Sequence, residues 1–528
     1  MVRSAPLTVL GLLLALSSPS YAQSTARISV DAAGAESEGG SARQSFSANG
    51  RFIAFSSYAS DLVPGDTNGE YDVFVHDRLT GKLTRVSVDS QGVEGNDYSF
   101  RPSISGDGRF VAFESGATNF VPGDINNASD IFLHDRLLHT TTLLSKSTHG
   151  VRGQTHSTFP QISADGSAVV FLSDSPNLVL SDWNYEGDVF VHDLNTGHTT
   201  RVSVDSNGLE GDRGSGWYQP SISGNGRYIA FNSWANNLVA GDTNSTKDVF
   251  VHDRMQRITT RVSVNSLGVE ADGFSSNVTI SEDGRFVGME SRATNLVSND
   301  TNDTDDVFVH DRITGITIRA SVDSLGLEAN GNSEGPKISA DGTWIVFTSD
   351  ASNLVPSDTN DAEDVFLHNI QTGITTRVSL SSLGEEPIHS SNYPSISPDG
   401  RLIGFNNRGR GLVPNDRNRQ TDIFIHDQFG PTLTKQGLCP GGMTLLASGG
   451  TPGQAVAMLF GPAGSFVQST GPCQGVELAI GQPQLGGIAT TNSVGQAPFP
   501  FVAPAGACGL RVQAVNLATC TPTNVMEL

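Results

Sequence analysis

The stretch Asp72-Val-Phe-Val-His-Asp77 decides the fold, because close copies of it start again at Asp130, Asp188, Asp248, Asp306, Asp364 and Asp422. Successive starts lie 58, 58, 60, 58, 58 and 58 residues apart. A period so even over most of the chain marks stacked or radially repeated supersecondary units. Around the hexapeptide, each copy reads as four short strands. In the second copy Pro102–Ser105 is a strand, Gly106-Asp107-Gly108 a tight turn and Arg109–Glu114 a second strand. A long loop leads to the third strand, Asp130–Asp135, and Thr140–Ser145 is the fourth. The middle runs are apolar on both faces, which predicts strands covered on both sides. Helical periodicity is absent from the repeat, so an all-β fold is expected.

The outer-strand pattern, seen as Thr84-Arg-Val-Ser-Val-Asp89, is missing after Asp427, while Ala26-Arg-Ile-Ser-Val-Asp31 stands alone near the start of the repeats. A ring explains both facts: the N-terminal strand completes the last blade and leaves no free sheet ends. The expectation is a seven-bladed β-propeller of four-stranded blades over residues 23–430. Residues 431–528 are expected to form a small β-sandwich-like module.

Ser105-Gly-Asp-Gly-Arg-Phe-Val-Ala-Phe113 followed by Asp130-Ile-Phe-Leu-His-Asp135 resembles the WD40-like repeat of TolB-type β-propellers. The resemblance covers residues 26–428 and implies the propeller. Seven repeats, longer loops and no preceding α/β domain set the chain apart from TolB itself. A role in the Tol–Pal envelope system is therefore not carried over.

Residues 1–22 read as a secretory signal: Arg3, the apolar run Leu7–Leu16, and the small-x-small site Ser20-Tyr21-Ala22 ahead of Gln23. The run is shorter than the roughly 20 residues a membrane span needs. The chain is thus expected to be exported, periplasmic or extracellular, with no transmembrane segment after cleavage. Its net charge of −23, from 55 acidic and 32 basic residues, repels phosphate backbones and argues against nucleic acid. The four cysteines, Cys439, Cys473, Cys508 and Cys520, all fall in the Gly- and Pro-rich tail. They suit disulfides in an oxidising compartment, with three pairings open and Cys439–Cys473 with Cys508–Cys520 favoured by proximity in sequence.

Asp-x-Asn-x-x-x-Asp recurs in every loop before the third strand: Asp66/Asn68/Asp72, Asp124/Asn126/Asp130, Asp182/Asn184/Asp188, Asp242/Asn244/Asp248, Asp300/Asn302/Asp306, Asp358/Asn360/Asp364 and Asp416/Asn418/Asp422. Oxygen ligands at positions 1 and 3 resemble the opening of a calcium loop. Calcium is the one cofactor the sequence suggests. The competing account is Asx-turns that fold the loop back on its own backbone. Glu94, Glu210, Glu270 and Glu328 recur in the next loop, where Arg152 breaks the pattern, and a ring of solvated carboxylates is the simpler expectation. The repeated histidines (His76, His134, His192, His252, His310, His368 and His426) fall on different blades, which predicts packing and hydrogen bonding in place of a metal site.

Function is expected where copies differ. Trp183, Tyr185, Trp217, Tyr218 and Trp234 gather in the loops of the third and fourth copies, and the two extra residues of the 60-residue step fall beside Trp217. Clustered loop aromatics suit stacking on sugars or gripping a peptide. Tyr58, Tyr71 and Tyr98 form a smaller group. Arg408, Arg410, Arg417 and Arg419 crowd one loop of the seventh copy and suit an acidic partner. The Gly-x-Ser-x-Gly string at Gly331–Gly335 lies in a repeat with no helical pattern to form a nucleophile elbow, His-Glu-x-x-His is absent, and the roughly 100 residues after the repeats are few for a hydrolase domain. The expectation is a non-catalytic binding or scaffold protein that meets a protein or glycan through its loop face. The alternatives are a carbohydrate-active propeller enzyme and a calcium-stabilised structural protein of the cell surface.

Overall fold

The computed structural model describes residues 23–413 and 416–428, and beyond them the backbone of the strands assigned after residue 431. Residues 1–22, expected to be a secretory signal, the four cysteines and Pro414-Asn415 lie outside the described residues. No described helix is long and apolar enough to cross a membrane.

Residues Gln23–Gln428 form one unit, a ring of seven four-stranded antiparallel sheets. The first blade runs outward through Ser41–Phe46, Phe52–Ser57, Asp72–Asp77 and Lys82–Arg85. The seventh is built from Ser391–Ile396, Leu402–Asn407 and Asp422–Asp427, and Ser24–Arg27 supplies its outer strand. The closing strand begins two residues before the expected segment. Its Ser-Val-Asp tail continues as a bridge between Val30 and Glu36, as the equivalent tail does between Val88 and Glu94.

Cores form between blades. Val73 and Val75 of the first blade pack with Val111, Phe113 and Phe132 of the second. Leu402, Ile423 and Ile425 pack with Ile53, Phe55 and Phe74 across the closure. Inside a blade the second- and third-strand phenylalanines are paired, Phe55 with Phe74 at 5.9 Å and Phe405 with Phe424 at 5.9 Å. Each buried ring contributes roughly 1.5–3 kcal/mol, so the hexapeptide is chiefly an instruction for packing.

The first-hairpin turns lock neighbouring blades. Gly108 has φ +74°, and a Cβ there would lie 2.2 Å from Phe52 of the preceding blade; Leu402 meets Gly50 in the same way where the ring closes. Only glycine tolerates both demands. Backbone bonds pass from turn to turn, from Ala48 N to Gly106 O through to Ala340 N to Pro398 O. They stop at Pro398, which has no N–H to give.

Phe429–Leu528 belong to a second unit. Thr432–Gly437, Gly441–Ser448 and Ala497–Ala503 form one sheet there, and Gln484–Thr490, Ala455–Gly461 and Arg511–Asn516 are the centre of another.

Candidate functional site

The Asp-x-Asn loops build a repeated charge cluster. Asp72 Oδ1 accepts from Ser87 Oγ at 2.5 Å, and Asp72 Oδ2 accepts from Arg85 Nη1 at 3.0 Å. The same Arg85 nitrogen lies 2.7 Å from Glu94 and 3.6 Å from Asp66. Ligand atoms of these three carboxylates all lie within 4.8 Å of one another, as do those of Asp182, Asp188 and Glu210. Arg201, Arg261, Arg319 and Arg377 repeat the arrangement with Asp182/Asp188, Asp242/Asp248, Asp300/Asp306 and Asp358/Asp364. In the seventh blade Arg27 of the N-terminal strand reaches Glu36, Asp416 and Asp422 at 3.0, 3.5 and 3.3 Å.

These residues do not fit a calcium ion. A guanidinium already stands between the carboxylates, where a cation would sit. The asparagine oxygen is turned away: Asn68 Oδ1 accepts from the Glu70 N–H at 2.9 Å, and Nδ2 donates to Gly95 O. Asn126, Asn184, Asn244, Asn302, Asn360 and Asn418 make the same Asx bond to the residue two positions on. The glutamates are not a solvated ring either, since Glu94 is held by Arg85 and by the Thr67 N–H. Burial, with repulsion from the neighbouring aspartate, pushes Asp66, Asp242, Asp300 and Asp416 up to about 6.

The histidines are staples. Nδ1 of His134 meets Thr141 Oγ1 at 2.9 Å, and that hydroxyl donates to Val88 O of the preceding blade's tail. His192, His252, His310, His368 and His426 do the same through Thr199, Thr259, Thr317, Thr375 and Thr25. His76 faces Leu83 in the ladder, and its Nδ1 has no hydrogen-bond partner.

A funnel of about 740 Å³ runs through the ring, lined by the innermost strand of every blade. The innermost strands of blades 1, 2, 3, 5, 6 and 7 carry a β-bulge near the loop face. The bulge residue takes positive φ: Arg43, Arg101, Phe159, Asn277, Gly335 and Tyr393, at +44° to +62°. Gln219 stands at the corresponding place in the fourth blade. All seven line the cavity, and six residue types serve seven places. Left-handed backbone at non-glycine residues is strained and concentrates at functional sites, and bulges re-aim side chains toward them. The sequence reading missed this ring. Aligning the copies by the turn glycine would have found it, as one of two adjacent variable columns in an otherwise repetitive strand.

Two of the five expected aromatics join the funnel. Trp217 and Tyr218 line its mouth, with Trp217 65% exposed. Tyr218 and Trp234 share the buried amine of Lys247, 4.7 and 5.4 Å from their ring centres. Trp183 and Tyr185 do not gather with them. They are exposed on the third blade's Asp-x-Asn loop, where the Trp183 N–H is held by Glu210. Tyr58 packs on Tyr71 at 5.4 Å, and Tyr98 bonds Ser129. In the basic loop Arg408 donates to Arg419 O, the Arg417 N–H donates to Glu36, and Arg410 lowers the titration of Asp416.

No family model matches the chain, and no curated protein does. Solved structures of similar fold include a TolB protein from Agrobacterium tumefaciens, at 12% identity and a TM-score of 0.35, with 66% of this chain and 94% of that chain covered. They also include one of two prolyl endopeptidases, at 11% identity and TM-score 0.45, covering 78% of this chain and 56% of that one. An acylaminoacyl peptidase from Pyrococcus horikoshii follows at 10% identity and TM-score 0.43, covering 79% and 59%. The chain spans somewhat more than half the length of these peptidases. The expectation that the chain is not an enzyme is corrected to this extent: its neighbours in fold include peptidases, so the fold does not support a non-enzyme reading. At these identities the likeness concerns fold: a seven-bladed β-propeller similar to TolB and to the propellers of peptidases.

Proposed function

We propose that the chain is an exported binding protein that seats a protein or glycan partner at the loop-face mouth of its funnel. One observation carries this reading. The frame repeats its charge clusters and histidine staples around the ring, yet the six bulge residues and Gln219, which all face the funnel, comprise six residue types. A symmetric scaffold has no structural need for that asymmetry. Trp217 and Tyr218 add an aromatic shelf at the rim, suited to stacking on a sugar ring or packing on a peptide.

Binding of the wild type and of Trp217→Ala to glycan and peptide arrays tests the reading. The expected result is a defined set of ligands whose binding the substitution weakens by about tenfold or more, as for an exposed aromatic anchor. Unchanged binding by Trp217→Ala would remove the funnel mouth as the site. Export is tested by N-terminal sequencing of protein recovered outside the cytoplasm of a bacterial host, with Gln23 as the expected first residue.

A further inference from the structure

A ring of inter-blade hydrogen bonds runs inside the funnel, two residues deeper than the bulges. Ser45 Oγ accepts from Ile104 N at 3.2 Å, Ser103 Oγ from Ile162 N, Gln161 Oε1 from Ile222 N, Ser221 Oγ from Ile280 N and Thr279 Oγ1 from Ile338 N. Each of these side chains offers an acceptor to the next blade. The sixth blade puts Lys337 there, a donor with no lone pair for Ile396 N, and the sequence of acceptors stops. In the seventh blade the Ser395 hydroxyl, at the same register, has no partner among the described residues.

Lys337 lines the funnel, and among the described residues its amine has no hydrogen bond, ion pair or aromatic ring. Arg43, on the far side of the seventh blade, likewise has no carboxylate within ion-pair distance among the described residues; its guanidinium stands over the Tyr393 ring, 4.0 Å from the centre. The two cations are close enough to repel: burial, then Arg43, push the Lys337 amine down to about 8. Next to Arg43 in the chain, the 8%-exposed Gln44 gives Nε2 to Tyr393 O, and its Oε1 has no partner among the described residues. Arg101, by contrast, is neutralised by Glu114 at 2.5 Å. The nearest acidic wall is turned elsewhere. Glu334 is raised by burial and by Glu290, Glu363, Asp305 and Asp350, so those carboxylates work against one another and leave Lys337 uncompensated.

A molecule of net charge −23 that leaves two cations unpaired inside its own cavity has a place for a foreign anion. We propose that Lys337 and Arg43, with Tyr393 as the stacking floor, form an anion-binding subsite for a carboxylate or phosphate group carried by the ligand. The planar guanidinium matches either group, and the amine adds a point charge. This rests on the funnel being the ligand seat, but it uses residues other than the aromatic rim.

Titration calorimetry with small probes separates the two ideas. The probes are inorganic phosphate, glucuronate, and glucose as the uncharged control. Lys337→Thr restores the acceptor that Thr279 provides one blade earlier, and Arg43→Gln copies Gln219 of the fourth blade, so both variants keep the ring's own chemistry. The expected result is saturable binding of phosphate, glucuronate or both, none of glucose, and affinity lowered about tenfold or more in each variant. Arg213→Gln, on the exposed surface, should bind as the wild type. Binding of phosphate alone identifies a phosphorylated ligand, and of glucuronate alone a carboxylated one; either supports the subsite. Equal affinity in wild type and both variants, or no binding of either anion, overturns it. Anion binding that survives in Trp217→Ala would uphold the subsite even if the aromatic shelf proves idle.

Discussion

The guanidinium of Arg152 lies 3.0 Å from the carboxylate of Asp124, and it arrives there from the opposite direction to its counterparts in the other blades. Elsewhere the arginine stands on the outer strand and a glutamate in the following loop. In the second blade Leu143 takes the outer-strand place and Arg152 the glutamate's, so one positive charge is kept and one negative charge is dropped. What the repeat preserves is a cation among the loop carboxylates.

A swap tests that balance. Arg152→Glu alone should cost on the order of 3 kcal/mol, because it leaves buried aspartates with no cation. Adding Leu143→Arg rebuilds the arrangement of the other blades and should recover most of the loss. Urea unfolding of the single and double variants measures both, and failure of the second change to rescue would refute the exchange.

The same charge logic makes a prediction about calcium. A chelator should leave the melting temperature of the wild type unchanged, since arginine holds the cation's place. In Arg85→Ala, where Asp66, Asp72 and Glu94 lose that charge, added calcium should raise the melting temperature. Stabilisation of the wild type by calcium would contradict the assignment.

Closure depends on a strand nearly 400 residues from its partner. Thr25, Arg27 and Ser29 supply to His426, Asp422 and the Ile423 N–H the contacts that other blades find within one repeat. Removing residues 23–31 should uncover the edge Asp422–Asp427 and abolish the single cooperative transition, while Thr25→Val should cost only about 1 kcal/mol. Thermal melts followed at two wavelengths distinguish the cases; a truncated ring that melts as the wild type does would show that the strand is dispensable.

Acid should weaken the fold through the histidines. Burial holds His76, His134, His192, His252, His368 and His426 down at about 4, below the ordinary 6.5. Between pH 6.5 and 4 the unfolded chain therefore binds more protons than the folded one, and stability falls as pH falls. The aspartates raised to about 6 work the other way, gaining stability between about 6 and 3.8. Those six, Asp66, Asp130, Asp188, Asp242, Asp300 and Asp416, shift over a slightly narrower range than the six histidines and begin to respond at a lower pH, so the histidines dominate. The melting temperature should drop across pH 6.5–4, with a shallower slope in His252→Gln. A flat or rising profile would show that the carboxylates win.

Much of the frame was legible because its contacts have fixed spacing. Arg51, Arg109, Arg227, Arg285 and Arg401 each pair with the last aspartate of their own hexapeptide, at 2.6–2.8 Å, 26 residues on. Where the arginine is lost, its partner changes too. In the sixth blade Thr343 stands opposite a hexapeptide ending in Asn369, and in the third Ser167 leaves Asp193 to Arg254 of the next blade. The candidate site was less legible because its residues share no local signal. Lys337 and Arg43 are separated by most of the ring in sequence, and Trp183 and Trp217 sit in similar-looking loops that end in different places.

Period, apolar runs and turn glycines were enough to determine a closed ring of seven β-sheets, because each repeat needs a neighbour to bury its faces and the lone N-terminal strand has one vacant place to fill. Tertiary structure alone decided which side chains face the funnel. A bulge in each innermost strand of blades 1, 2, 3, 5, 6 and 7 turns one residue inward, and circular closure brings the sixth and first blades to either side of the seventh. Only that geometry sets Lys337 and Arg43 in one cavity.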